Sequence, residues 1–205
     1  MNSNITDPMS SSLNTAVQGL LNGKQPSGHF LSGEGSEELA AALAAKIDSG
    51  VAPSHCAHAM CGSSAAGNVA VVRMLAARPK STFNKAYNFG EPLRRACRAF
   101  VRASDPALKQ ALAECAKIIA AAGGDLNQPD KYLKSGISAA GSLLKDGSDE
   151  ALSLLKTLKS IQGVPELELE NKPAKPVVKA SSSSKRKSGN EVGDITEKIV
   201  KKGRK

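Results

Sequence analysis

A six-residue frame recurs three times in this chain, each time at a point where a turn is expected to give way to a helix. A polar or turn residue leads the frame and alanine ends it. The copies are Ser54–Ala59, Glu91–Ala96 and Ser135–Ala140. Self-similarity over such distances is typical of stacked supersecondary units, because each unit must bury its apolar face against the next.

The residues around these frames favour helices. The chain is 40% hydrophobic but only 3% aromatic, it contains no tryptophan, and alanine dominates its middle. Alanine is the strongest helix former, whereas valine, isoleucine, tyrosine and phenylalanine favour strands. An alanine-rich core fills little volume per residue, so it suits closely packed helices. We therefore expect an all-α fold.

Capping residues and breakers divide the chain into helical segments. Ser36 and Ser148 are each followed by acidic residues, and Asp105 precedes a proline, so all three are predicted to begin helices. Glycines at 50 and 163 are predicted to end them. The small residues from 62 to 67 predict a break. The predicted helices cover residues 36–50, 54–61, 68–77, 92–104, 105–123, 137–144 and 148–163.

The frame resembles the Thr-Pro-Leu-His-x-Ala box that opens the first helix of an ankyrin repeat. Residues 67–75 resemble the second ankyrin helix, and Ile118-Ile119 followed by residues 123–127 resembles the end of a repeat. The resemblance to the ankyrin-repeat family covers residues 54–163. It implies a short helical-hairpin solenoid of about three degenerate repeats, with the helix at 36–50 as an N-terminal cap.

This sequence departs from the ankyrin pattern in three ways. The frames begin 37 and 44 residues apart, whereas the usual repeat is about 33 residues long. The histidine of the box is replaced by Ala57, Arg94 and Ser138, and the third repeat lacks the Asp-x-Asn ending. Another solenoid of helix pairs and a compact helical bundle therefore remain alternatives.

Three regions are expected along the chain. Residues 1–35 form a flexible N-terminal arm, in which an amphipathic patch at 11–21 is alternatively a docking or export segment. Residues 36–166 form the repeat domain, and residues 167–205 form a disordered basic tail. From Lys172 onwards there are eleven basic and three acidic residues, so the tail carries +8 of the net charge of +9.

The tail contains two basic clusters in the arrangement of a bipartite nuclear import signal. There are two alternative interpretations. The tail could be attracted nonspecifically to nucleic acid or to an anionic membrane, or it could serve solubility only. The clusters consist of Lys185, Arg186, Lys187, Lys201, Lys202, Arg204 and Lys205. An importin and nucleic acid are thus candidate partners of the tail.

An arginine stripe is the candidate partner site. Arg94, Arg98 and Arg102 are spaced by four residues, with Arg95 alongside. In an ankyrin-like stack the first helix of each pair lines the groove, where guanidinium groups can hold carboxylates or phosphates. A solvated helix face is the alternative. Two aromatic residues just before this helix, Tyr87 and Phe89, are candidate anchors or are packed beneath the loop.

A cluster of His55, Cys56, His58 and Cys61 contains metal-ligand residue types, but these residues fan around a helix instead of converging. We expect buried thiols and no metal or cofactor there. No nucleophile motif and no phosphate-binding loop is recognisable, so no enzymatic activity is expected. A metal-dependent enzyme at this cluster is the least favoured alternative. The four cysteines fit a reducing, cytosol-like compartment, and no secretory signal or membrane span is expected.

The sequence thus predicts an adaptor or inhibitor that binds a protein partner through the concave face of ankyrin-like repeats, in the cytoplasm or nucleus. The polar N-terminus also resembles the export region of bacterial type III effectors, which would place the protein in a host cell. The alternative function is a nucleic-acid-associated protein that uses the basic tail and the arginine stripe.

Overall fold

The computed structural model describes residues 8–83, 89–129 and 137–163. These residues form eight α-helices and two short 3-10 turns, with no strand among them. The expectation of an all-α chain is confirmed for this part. The helices are α1 (Pro8–Leu21), α2 (Gly33–Asp48), α3 (Pro53–Ala66), α4 (Val69–Ala76), α5 (Gly90–Arg102), α6 (Pro106–Ala121), α7 (Ala139–Asp146) and α8 (Asp149–Ile161).

The helices pack in an order that follows the chain. Each odd-numbered helix contacts the even-numbered helix that follows it, which gives four helix pairs. The odd-numbered helices also contact one another in sequence, α1 to α3 to α5 to α7, and the even-numbered helices do the same from α2 to α8. The described residues therefore form a helical repeat-like fold with two layers of helices.

The alanines of the recurring frame are buried in the odd-numbered helices. The alanines that end the three frames are 0%, 0% and 6% exposed: Ala59, Ala96 and Ala140. A methyl side chain allows two helix backbones to approach closely. Burial of the alanine in each of the three frames is therefore consistent with close helix packing there. The third residue of the frame is fully buried at Cys56 and Leu93 and half-buried at Ile137.

The folded part begins earlier than predicted. Residues 8–35, assigned above to a flexible arm, contain α1 and the 3-10 turn Gly28–Phe30. Val17, Leu20 and Leu21 are buried because α1 packs against α2 and α3. The amphipathic patch at 11–21 was the sequence signal for this helix, and its apolar face is covered by α2 and α3. The first unit is consequently a helix pair, where the sequence predicted a single capping helix.

The predicted break at residues 62–67 is wrong. Helix α3 continues through Gly62 and ends only at Gly67, whose φ of 73° is left-handed. A Cβ atom on Gly62 would lie 2.7 Å from the carbonyl oxygen of Lys24, so this glycine permits close contact with the α1–α2 connection. Ser63 and Ser64 remain helical, and their hydroxyls donate to the carbonyls one turn earlier, at 2.7 and 2.6 Å.

A buried asparagine joins the first helix pair to the second. Asn68 is 0% exposed and caps α4, because its Oδ1 accepts from the amide of Val71 at 3.0 Å. Its Nδ2 donates to the carbonyl of Phe30 at 2.6 Å. Ser36, predicted to cap α2, instead lies inside that helix, which begins at Gly33, and its buried hydroxyl donates to Asn68 Oδ1 at 3.2 Å.

Two predicted helix starts are confirmed. The carboxylate of Asp105 accepts from the amide of Leu108 at 2.8 Å, and the hydroxyl of Ser148 accepts from the amide of Ala151 at 3.3 Å. Each side chain satisfies an amide that has no partner within its own helix. Local sequence is therefore sufficient to fix where α6 and α8 begin.

Candidate partner-binding groove

Helix α5 occupies the centre of the described fold. It contacts α3, α6 and α7. Its buried face carries Leu93, Cys97 and Phe100, which are 0%, 0% and 6% exposed. The opposite face carries most of the arginine stripe, so burial of one side of α5 aims the charged side outward.

A groove of about 650 Å³ runs along this outward face. Helix α5 supplies its charged wall, the end of α3 and the start of α6 supply apolar side chains, and Gln25 adds a polar residue from the α1–α2 connection. The described lining residues are Gln25, Ala65, Glu91, Arg94, Arg95, Arg98, Ala99, Arg102, Ala103, Leu108 and Leu112. The groove is therefore shared by neighbouring helix pairs.

The four arginines differ in exposure. The Arg94 side chain is only 5% exposed and pairs with Glu91, so it lies inward, away from the solvent-facing stripe predicted for it. Arg95 is half-exposed, with its Nε 2.8 Å from Glu91 Oε1. Arg98 is half-buried and Arg102 is exposed. A helix turns about 100° per residue, which explains why Arg94 and Arg95 take different sides.

The described residues that line the groove carry more positive than negative charge. Among the described residues that line it, four are arginines and Glu91 is the one carboxylate. Glu91 bonds to both Arg94 and Arg95. A smaller hollow of about 350 Å³ adjoins it between α5 and α7, and shares Arg98 and Arg102. Lys145 and Asp146 line that hollow together, so its positive charge also exceeds its negative charge.

Phe89, one of the two candidate aromatic anchors, is not among the described residues that line this groove. Phe89 is 2% exposed, and its ring meets Phe83 edge-on with the ring centroids 5.0 Å apart. It is therefore packed beneath the loop, which was the second alternative considered for it. Tyr87 lies outside the described residues, as do all seven basic residues of the predicted import signal.

The histidine and cysteine cluster does not form a compact ligand set. Cys56 and Cys61 are buried, whereas His55 and His58 are exposed with ring centroids 6.3 Å apart. Within the described ranges, no three histidine, cysteine, aspartate or glutamate side chains come together as a metal site would require. Desolvation is the main reason that the pKa of the Cys56 thiol is raised.

The other two cysteines, Cys97 in α5 and Cys115 in α6, are also buried. Burial raises the pKa of Cys97 to about 12. The pKa of Cys115 also rises to about 12, again mainly through burial, with a smaller contribution from the charge of Glu114. Thiols of this kind hold no thiolate near neutral pH, and a nucleophile or metal ligand requires the thiolate. Their position on the apolar faces of α5 and α6 makes them part of the core.

Sequence reasoning missed the apolar part of the groove. Ala65, Leu108 and Leu112 come from α3 and α6, and nothing local marks them as neighbours of the arginines. Only the packing order of the helices brings them together. Leu108 is 38% exposed, so it offers apolar surface to the groove.

The described helices define an all-α, helical repeat-like protein. In this part of the chain, none of the helices is both long enough and apolar enough to cross a bilayer. No protein-family model, no curated protein and no solved structure matches the chain.

Proposed function

We propose that the chain is an ankyrin-like helical-repeat protein that acts as an adaptor or inhibitor by binding a protein partner in the groove along α5. The packing order of the helices supports the ankyrin-like assignment, because odd-numbered helices contact one another in sequence and even-numbered helices do the same. The three frames also support it, because each ends in a buried alanine of an odd-numbered helix.

The observation that carries the binding proposal is a groove assembled from more than one helix pair and lined by four arginines against one described carboxylate. Such a groove offers charge-assisted hydrogen bonds from its arginines and apolar contact from its leucine and alanine side chains. Arginine is also enriched among residues that dominate binding energies at interfaces. No described residue cluster supports a catalytic or metal-dependent activity better than binding.

Affinity capture with a charge-reversed chain tests this proposal. The double variant Arg98→Glu/Arg102→Glu reverses two charges in the groove, and we expect it to lose partners that the wild-type chain retains. Arg73→Glu/Lys46→Glu is the matched control, since both residues are exposed and lie on even-numbered helices. If both variants lose the same captured proteins, or if neither loses any, the groove is not the binding site.

The basic tail supports a second candidate function, association with nucleic acid. Its net charge of +8 from Lys172 to Lys205 would give an affinity that falls steeply with salt. Deletion of residues 172–205 separates the two functions. The tail proposal expects nucleic-acid binding to disappear, and the groove proposal expects capture of the protein partner to persist. Nuclear import by the same tail is tested by fusing residues 172–205 to a fluorescent reporter.

A further inference from the structure

We propose that residues 164–170 run back along the last described helix pair and cover an apolar flank that α7 and α8 leave exposed. This flank is a surface other than the groove along α5, so the inference goes beyond the proposed function. Three observations carry it: the position of two exposed leucines, the residues that follow α8, and the distance over which those residues can reach.

The two most exposed large apolar side chains of the described residues lie on the last described helix pair. Leu144 of α7 is 51% exposed and Leu152 of α8 is 41% exposed. One lies within a turn before the connection between the two helices and the other within a turn after it, so both are at the same end of the pair. The terminal unit of a helical stack normally needs a polar outer face, and these leucines depart from that rule.

Both leucines lie on flanks that are turned away from the preceding helix pair. The hollow shared with α5 is lined on the α7 side by Ser142, Lys145 and Asp146. A hollow of about 400 Å³ shared with α6 is lined on the α8 side by Glu150, Ser153, Leu154 and Thr157. At about 100° per residue, Leu144 and Leu152 lie roughly 150° around their helices from the middle of these sets. A further helix pair would cover this flank in a longer stack, but α8 is the last helix of the described residues.

The residues that follow α8 have the composition to cover such a flank. Residues 164–170 are Val-Pro-Glu-Leu-Glu-Leu-Glu, and they lie outside the described residues. Side chains two apart in an extended segment point the same way, so Leu167 and Leu169 can face the helix pair together. They are the last two leucines of the chain. The chain divides into a unit of residues 1–170 and a unit of residues 171–205, so this segment belongs to the same unit as the helices.

The segment is also long enough. Gly163 has a left-handed φ of 67°, a conformation that turns a chain away from the axis of the helix it follows. From Gly163 back to Leu152 is about 16 Å along α8, at about 1.5 Å per residue. An extended chain spans about 20 Å between Gly163 and Leu169, at about 3.3 Å per residue. Leu169 therefore reaches the level of Leu152 with one residue to spare for the turn.

Charge favours this segment over a second copy of the chain. Lys156 and Lys159 follow Leu152 by four and seven residues in α8, and those spacings place all three on one side of a helix. The segment contains three glutamates and no basic residue. Long lysine side chains can reach carboxylates beside an apolar contact. Two copies of the flank would instead bring lysines against lysines, because a symmetric interface uses the same patch twice.

Disulfide trapping in the full chain tests where the segment lies. Leu152→Cys/Leu169→Cys is compared with Ser153→Cys/Leu169→Cys, because Ser153 is also exposed but lies on the α6 side of the same helix turn. The four native cysteines are buried, and the two closed loops differ in length by one residue. We expect the first pair to form an intramolecular disulfide at least about tenfold faster, because a held segment raises the effective concentration of its thiol. Equal rates, measured by peptide mass spectrometry, would overturn the proposal.

Urea denaturation tests whether the contact stabilises the fold. We expect Leu167→Ser/Leu169→Ser to lower the urea midpoint by about 0.5 M or more. The control Val177→Ser/Val178→Ser removes two apolar side chains further along the chain and should leave the midpoint unchanged. Leu152→Ser should lower the midpoint of the wild-type chain and have a smaller effect in the Leu167→Ser/Leu169→Ser background, since residues in contact are not additive. The same effect in both backgrounds would overturn the proposal.

Other occupants of the flank would give different results. Disulfide-linked dimers of Leu152→Cys alone, formed as fast as the loop closes in Leu152→Cys/Leu169→Cys, would assign the flank to a second copy. A protein captured by the wild-type chain and lost from Leu144→Lys/Leu152→Lys, with equal trapping rates for the two cysteine pairs, would assign it to a partner. Either result would overturn the proposal. Circular dichroism would establish that each variant is folded.

Discussion

Replacement of Asn68 by alanine should be among the most destabilising single polar substitutions in the described fold. The side chain makes three hydrogen bonds: it accepts from Val71 and Ser36 and donates to the carbonyl of Phe30. Loss of a helix cap alone costs about 1 kcal/mol. A buried polar group left without its partner costs a further 1–3 kcal/mol or so. We therefore expect unfolding free energy to fall by about 2–4 kcal/mol.

Urea denaturation followed by circular dichroism measures this loss, and Asp105→Ala supplies the matched control. Asp105 also caps a helix, but it is exposed and accepts a cap bond from Leu108 alone. The control should therefore lose only about 1 kcal/mol. Equal losses for Asn68→Ala and Asp105→Ala would refute the reasoning, since they would show that the bonds to Phe30 and Ser36 contribute nothing beyond the cap.

Three further predictions concern packing, burial and charge. Gly62→Ala should destabilise the fold by about 2 kcal/mol or more in the same urea assay, because its Cβ would lie 2.7 Å from a backbone oxygen. The helical control Gly19→Ala has its nearest neighbour at 3.8 Å, so it should stabilise by about 0.5–1 kcal/mol; a loss in both would contradict the steric argument. The thiols of Cys97 and Cys115, with each pKa raised to about 12 by burial, should resist a disulfide reagent at about pH 8 until denaturant is added; rapid labelling of the native chain would contradict their burial. A hydrogen bond from its arginine partner lowers the pKa of Asp48, so this carboxylate stabilises the fold above its unfolded pKa of about 3.9 and loses that effect as pH falls through the lower folded value. Asp48→Asn should therefore be less stable than wild type at neutral pH and converge with it in acid, and a gap independent of pH would contradict this.

Local signals in the sequence were sufficient for most of the helices. The caps at Asp105 and Ser148 are set by residues within one turn of the helix start, so they can be recognised without knowledge of the fold. Helix α1 was wrongly predicted to belong to a flexible arm. Its few apolar residues stabilise a fold only when α2 and α3 cover them, and that contact is not visible in the sequence. Gly62 was misjudged because a glycine that breaks a helix and a glycine that admits a neighbouring backbone look alike in sequence.

The candidate site also has a part that the sequence predicts and a part that depends on packing between helices. The four-residue spacing of Arg98 and Arg102 predicts a shared helix face, and the structure places both beside one groove. The inward position of Arg94 depends on Glu91 one turn earlier and on where α5 meets its neighbours. The contribution of Ala65 and Leu108 depends on two other helices. Periodicity within one helix cannot reveal either of these, because both arise from packing between helices.

Affinity capture tests most directly the central claim, that the groove along α5 binds a protein partner. The wild-type chain, the groove variant Arg98→Glu/Arg102→Glu and the control variant Arg73→Glu/Lys46→Glu would be compared side by side at the same salt concentration. The account predicts that only the groove variant loses a protein that the wild-type chain and the control variant both retain. Equal recovery of that protein by all three chains, or equal loss from both variants, would contradict it.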